Sequence, residues 1–217
     1  MTKKNKKESR LMKTEYKPAS ITIQLHAGRL DLALARKITE LAEENGFSLY
    51  LSNSQNIRIM NIPATAVAAI KEELRPFGVQ FRKSGTFPVP RTCVGKPHCE
   101  RARTDTMKLS QKITSAFAKR TQVKGKFKIA ISGCGFCCSG AKTTDIGIIA
   151  VTNGFDIYVG GKGGHTPQAG RRIKKKISEK EVLETIETIV AFHDEKTVTK
   201  QRLAKLAARP DFPFSEI

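Results

Sequence analysis

The sequence predicts an α+β fold, and three features predict it. Short apolar runs that alternate with polar residues are interleaved with stretches whose apolar residues recur every three or four positions. Up to Ser84 these segments run in the order β-α-β-β-α-β, which is the ferredoxin-like arrangement. Beyond it the chain mixes a helix with several strands and then ends in helices, with glycine or proline at most junctions.

The elements follow in order. Residues 1–17 hold Lys3, Lys4, Lys6, Lys7, Arg10, Lys13 and Lys17 against Glu8 and Glu15, with no apolar period, and read as a disordered basic tail. The half-domain then spans residues 18–84. Ile21, Ile23 and Leu25 alternate along a strand over 19–25, and Gly28 turns the chain. Leu34, Ile38 and Leu41 form the stripe of a helix over 30–45 that Gly46 ends. Strands over 47–51 and 57–60 flank the turn Ser52-Asn53-Ser54-Gln55. Pro63 opens a helix that reaches Leu74, Pro76-Phe77-Gly78 closes it, and 79–82 is a short strand. Residues 83–90, with Gly85, Pro88 and Pro90, read as a linker into a second domain over 85–177. That domain has a helix over 105–121 and a strand over 127–131. An Asn153-Gly154 hairpin joins strands over 147–151 and 156–159. Residues 178–217 read as C-terminal helices and a tail. Ser178 and Glu181 make a capping box ahead of the stripe Val182, Ile186, Ile189, Val190, and a second helix covers 197–208.

With 217 residues, 39% of them hydrophobic, the chain can build one large core or two small ones. No apolar run has bilayer length and no signal peptide is visible, so the expected location is the cytoplasm. The net charge of +19 raises nucleic acid as a partner. Against that, aromatics are 6%, Trp is absent and no nucleic-acid-binding signature appears. The same charge suits a polycarboxylate cofactor, a small oxyanion substrate or an acidic electron donor.

All five cysteines lie in two glycine-bearing stretches, Cys93-Val94-Gly95-Lys96-Pro97-His98-Cys99 and Cys134-Gly135-Phe136-Cys137-Cys138. Converging thiolates point to a metal or an iron–sulfur cluster, and glycine lets backbone approach a bulky inorganic group. Zinc remains open, because Cys134 and Cys137 have knuckle spacing, although Cys93 and Cys99 do not. A disulfide framework suits neither the odd cysteine count nor the missing signal peptide. Buried free cysteines are the remaining alternative.

Cys93, then five residues, then Cys99, and later Cys134, three residues and Cys138, resembles the cluster motif of the siroheme sulfite and nitrite reductase family. Lys126-Phe127-Lys128-Ile129-Ala130-Ile131-Ser132-Gly133 leads in, and Asp145-Ile146-Gly147 and Gly154-Phe155-Asp156-Ile157-Tyr158-Val159-Gly160 follow in the family's manner, from about Ile21 to Leu206. The resemblance implies a siroheme and iron–sulfur domain over 85–177, with a [4Fe–4S] cluster on Cys93, Cys99, Cys134 and Cys138 and siroheme iron against Cys138. It implies reduction of sulfite to sulfide, with nitrite as second substrate. Lys126 and Lys128 match the family's substrate lysines and are expected on one side of a strand, and Arg91 is a further cationic candidate. Gly160, Gly161, Lys162, Gly163 and Gly164 look like a backbone cradle for siroheme carboxylates. Arg171, Arg172 and Lys174 suit either carboxylates or a charged helix start, and His98 and His165 are not expected as ligands. Departures accompany the resemblance: Ser54 stands where the family has arginine, with Arg58 as substitute; Gly135-Phe136 replaces Pro-Asn; Cys137 is extra; His165 replaces arginine. The chain resembles the small single-repeat proteins, in which a homodimer would restore the two-half symmetry of the larger reductases. An acidic donor such as a ferredoxin is implied as partner. Other readings are an electron carrier without turnover, or a basic zinc or nucleic-acid-binding module.

Overall fold

A computed structural model describes residues 18–123, 125–198 and 201–217. The basic stretch 1–17 lies outside the described residues. The fold is α+β, in two compact units: one holds Leu30–Arg82 with the described residues up to Leu25, the other His26–Arg29 with Lys83–Ile217.

In the first unit, β1 (Ala19–Gln24), α1 (Leu32–Asn45), β2 (Ser48–Leu51), β3 (Asn56–Ile62), α2 (Val67–Leu74) and β4 (Gln80–Phe81) build an antiparallel sheet of order β2-β3-β1-β4. This is the ferredoxin-like order. α1 starts two residues later than its apolar period suggests. The Asp31 carboxylate accepts the N–H groups of Ala33 and Leu34, and this cap defines the first turn. Gly46, at φ 67, ends the helix in the left-handed conformation that glycine adopts without steric cost. The core packs Ile21 and Ile23 of β1 and Ile57, Ile59 and Ile62 of β3 against Leu34, Ile38, Leu41, Ile70 and Leu74 of the helices. The helix expected from Pro63 begins as a 3-10 turn over Ala64–Ala66.

In the second unit, β5 (Arg91–Thr92), β6 (Ile129–Ser132), β7 (Ile146–Val151), β8 (Gly154–Val159) and β9 (Arg171–Ile177) form a sheet in chain order. The β5–β6 and β6–β7 pairs are parallel and the other two antiparallel. α3 (Thr106–Ala116), α4 (Glu179–Lys196) and α5 (Leu203–Ala207) supply the helices. Leu109, Ile113, Val182, Ile186, Ile189 and Val190 meet Ile129, Ile131, Ile146, Ile148, Ile157 and Val159 in one core. The capping box of Ser178 and Glu181 starts α4 as the sequence indicates. Residues 83–90 do more than link, because Phe87 stacks on Phe117 at 4.5 Å within that core.

Three elements differ from expectation. Residues 171–177 form β9 rather than a helix start, with Ile173 and Ile177 buried and lysines outward, as suits a sheet edge. α3 stops at Ala116, short of residue 121. The second C-terminal helix covers only Leu203–Ala207; Thr197 precedes it buried and non-helical, and residues 199–200 lie outside the described residues.

The opposite face of this sheet is covered by the loop after β6, which includes a 3-10 turn over Ala141–Thr143. Cys137, Ala130, Ala141, Ile149 and Tyr158 pack together there. The loop lies flat because two glycines admit its backbone. A Cβ on Gly147 would sit 2.1 Å from the Ala141 carbonyl oxygen, and one on Gly161 would sit 2.3 Å from that of Lys142.

Candidate cluster site

The cysteine loops leave the C-terminal ends of β5 and β6, two neighbouring parallel strands paired at Arg91–Ala130 and Thr92–Ile131. Two sequence-distant cysteine loops therefore lie side by side because adjacent strands end together. The pairing continues into the loops, where Cys93 N–H donates to Ile131 O at 3.1 Å. Gly133 N–H donates to Cys93 Sγ at 3.1 Å. Arg103 N–H donates to Gly133 O at 2.7 Å, so the chain beyond Cys99 is stitched to the residue before Cys134. Thr106, the first residue of α3, donates through Oγ1 to Cys93 O at 2.7 Å. That contact demands glycine at 95, since a Cβ there would lie 2.4 Å from Thr106 Oγ1.

The second loop is closed at its base by the buried hydroxyl pair Ser132–Ser139, Oγ to Oγ 2.7 Å. Within it Cys137 N–H donates to Cys134 O at 3.2 Å, and Gly140 N–H to Cys137 O at 2.8 Å. Cys137 has φ 58, an unusual conformation for a side-chain-bearing residue, and its Sγ accepts the Lys142 N–H at 3.3 Å. The backbone thus turns Cys137 into the packed loop, while Cys138 is exposed.

All five thiols are free, and Cys93, Cys99 and Cys134 are half-buried. Among the described residues no three His, Cys, Asp or Glu side chains converge closely enough to hold a single metal ion. A cube that takes one thiolate at each of four separate irons needs no such convergence, and the Gly133 N–H on Cys93 sulfur is the kind of donor that tunes a cluster. The thiols of the two loops, with a backbone N–H already aimed at the Cys93 sulfur, fit an iron–sulfur cluster.

Arg91 belongs to the same neighbourhood. Its Nη2 donates to Thr144 Oγ1 at 3.2 Å and lies 2.8 Å from where a Cβ on Gly140 would be, while its Nε is buried without a hydrogen-bond partner. The lysines are placed otherwise. Lys126 sits in a turn at φ 68 and Lys128 just before Ile129, both exposed, so the expected common side of a strand does not exist for Lys126. Both precede the N-terminal end of β6, whereas Cys134 follows its C-terminal end, on the order of 20 Å away along an extended chain. The sequence ties them together; the fold separates them.

The glycine stretch is also only partly a cradle. Gly160 N–H donates to Asp145 O at 2.9 Å, Lys162 bridges reciprocally to Gln168, and Gly161 packs on the 142–144 backbone. Gly163 and Gly164 alone are exposed with open space around them. Arg172 pairs with Asp156 at 3.3 Å, Arg171 covers the Phe212 ring and Lys174 the Phe214 ring, so these cations are engaged by the chain itself. Ser54 and Arg58 lie in the first unit, where Arg58 donates to Ser20 Oγ at 2.7 Å. His98 Nε2 lies 3.4 Å from Arg29 Nη1, and His165 is exposed.

Sequence reading missed Asp145. It is fully buried at the start of β7, accepts Leu203 N–H and pairs with Arg202 at 3.4 Å, which pins α5 to the sheet. Burial pushes its carboxyl up to about 6, against the pull of Arg202. The sequence shows Asp145 only within the family-like run Asp145-Ile146-Gly147, and nothing in the letters announces its burial or its ion pair.

Two abutting, glycine-lined cysteine loops on an α+β scaffold define an iron–sulfur protein of the ferredoxin-like-plus-cluster-domain class. Residues 88–212 match the nitrite and sulphite reductase 4Fe-4S domain, and residues 12–77 match the nitrite/sulfite reductase ferredoxin-like half domain. The chain belongs to the nitrite and sulfite reductase family. It is 23% identical over 159 residues to an assimilatory-type sulfite reductase of Nitratidesulfovibrio vulgaris, covering 73% of this chain and 72% of that protein. It is 27% identical over 167 residues to a nitrite reductase [NAD(P)H] of Bacillus subtilis, covering 76% of this chain but only 20% of that protein. Dissimilatory sulfite reductase I shares the fold with a TM-score of 0.77 at 15% identity, over 89% of this chain and 67% of that one. Mycobacterium tuberculosis NirA does so with a TM-score of 0.73 at 20% identity, over 87% and 37%. Family membership supports a [4Fe–4S] cluster and siroheme as cofactors. Among the described residues no helix is long and apolar enough to cross a membrane.

Proposed function

We propose that the chain is a small oxidoreductase that reduces sulfite to sulfide, with nitrite as second candidate substrate. Cys93, Cys99, Cys134 and Cys138 hold the [4Fe–4S] cluster, and siroheme lies beside Cys138. The observation that supports this most is the stitch between the loops, Gly133 N–H on Cys93 sulfur, within a domain matching the family. When bound, the cluster would relay electrons from an external donor and siroheme would supply the iron centre that multi-electron reduction needs. The chain's own residues hold and orient. Arg91, fixed by Thr144 with an unsatisfied Nε, offers cationic donors to an oxyanion beside the second loop. Gly163 and Gly164 offer open backbone N–H groups to siroheme carboxylates.

Lys126 and Lys128 lie too far from the cysteines along β6 to serve them within one chain. This favours a homodimer in which the lysines of one copy face the cysteine loops of the other. Free thiols and a cluster suit a reducing compartment, the cytoplasm.

Anaerobic purification, an absorption spectrum and iron and sulfide counts test the cofactors. Steady turnover with reduced methyl viologen, compared between sulfite and nitrite, tests the reaction. Full cofactor content with no turnover of either anion would identify an electron carrier instead. Iron-free protein would refute both.

A further inference from the structure

The stretch 140–144 runs on from Cys138 in the loop that covers the sheet face, and it serves two cations. It holds one of them, Arg91, whose Nη2 donates to Thr144 Oγ1 at 3.2 Å, while that hydroxyl donates to Gly140 O at 2.9 Å. It carries the other, Lys142. The backbone at Lys142 is pinned on both sides: its N–H donates to Cys137 Sγ at 3.3 Å, and its carbonyl accepts Gly170 N–H at 2.6 Å. The Lys142 side chain is exposed, with Nζ 5.4 Å from the centre of the Tyr158 ring. Tyr158 packs with Cys137 in the apolar group that seats the loop, so the ring that orients the ammonium is itself part of the loop's footing. Among the described residues neither Arg91 nor Lys142 makes an ion pair. Asp145, the next acid along the chain, is buried and taken up by Arg202 and Leu203 N–H.

We propose that Lys142 is an oxyanion-binding residue of this site and acts with Arg91 on the anion bound there. The proposal rests on the reductase reading above and deepens it, because Lys142 is a lysine on the cysteine loop itself, whereas Lys126 and Lys128 lie before the other end of β6. An aromatic ring steers an ammonium group electrostatically without neutralising it or using its N–H donors. The ammonium is a compact charge with three donors, which suits a small oxyanion. Its backbone is already fixed, so less ordering remains to be done when the anion arrives. Two cations on one five-residue stretch with no acid to neutralise them leave a charge that a small anion can balance.

The test is an equilibrium titration of the oxidised, cofactor-loaded protein with sulfite, and separately with nitrite, followed by absorbance and accompanied by an iron assay. Lys142→Met, which keeps the apolar stem, is expected to raise the dissociation constant of the tighter anion about tenfold or more, with wild-type iron content and a wild-type spectrum before anion is added. Lys142→Arg, which keeps the charge, is expected to recover most of that affinity. Lys175→Met removes the same charge from an exposed position on β9 and is expected to bind like wild type. Wild-type affinity in Lys142→Met would sink the proposal and leave the reductase reading intact. So would equal weakening in Lys142→Met and Lys175→Met, which would trace the effect to net charge. Iron loss in both Lys142→Met and Lys142→Arg would make the residue structural and sink the proposal as well. Wild-type protein with full cofactor content that binds neither anion would instead sink the reductase reading beneath it.

Discussion

Two neighbouring cysteines with opposite fates show what a single residue decides. Cys137 is turned inward by a left-handed backbone and accepts the Lys142 N–H, and Cys138 stands exposed one residue on. Cys137→Ser is therefore expected to keep near-wild-type iron and sulfide, whereas Cys138→Ser loses the coupling between cluster and siroheme seen in the absorption spectrum. Equal iron loss in both would reverse the assignment. Asp145 gives a pH dependence. Its folded carboxyl titrates near 6 and its unfolded one near 3.8, so between those values the folded state binds the proton more tightly. Stability from this group is complete below the lower value and falls as pH rises through the upper one, by about 3 kcal/mol in all. Urea midpoints measured from pH 4 to 7 are expected to lose that decline in Asp145→Asn. The four proposed ligands were legible because thiols are rare and these sit in two short motifs. The orientation of Cys137 was not, because nothing in the letters announces a positive φ.

Among elements, the loop after β6 depends on two missing methyl groups. Gly147→Ala would drive a Cβ into the Ala141 carbonyl, and neither group can move without lifting loop or strand. A loss of about 3 kcal/mol or more is expected, together with lower iron content, and thermal melting with iron assay checks both. Gly163→Ala, where space is open, is expected to be nearly silent in melting. The helices with stripes and caps, α1 and α4, were legible from sequence because period and capping residues agree. β9 was not: Arg171-Arg172-Ile173-Lys174-Lys175-Lys176-Ile177 has too few apolar residues to show a period, and only its pairing with β8 makes it a strand. Lys126 was misplaced for a related reason, since the turn before β6 takes a residue that looks like strand.

The whole molecule joins a ferredoxin-like unit to a cluster-bearing one, and that order of units was legible from the first pass of strands and helices. How the lysines stand relative to the cysteines was not, because it follows from which end of β6 each occupies. If the site is completed by a second copy, Lys128→Ala chains mixed with Cys138→Ser chains are expected to recover part of the activity that each lacks alone. No recovery after mixing would confine the site to one chain. The hydrogen bonds that bring the loops together, Gly133 to Cys93 and Arg103 to Gly133, both involve Gly133, and the Ser132–Ser139 pair closes the second loop beside them. One backbone unit therefore couples both cysteine stretches, and a distortion imposed on either is passed to its neighbour through that single residue.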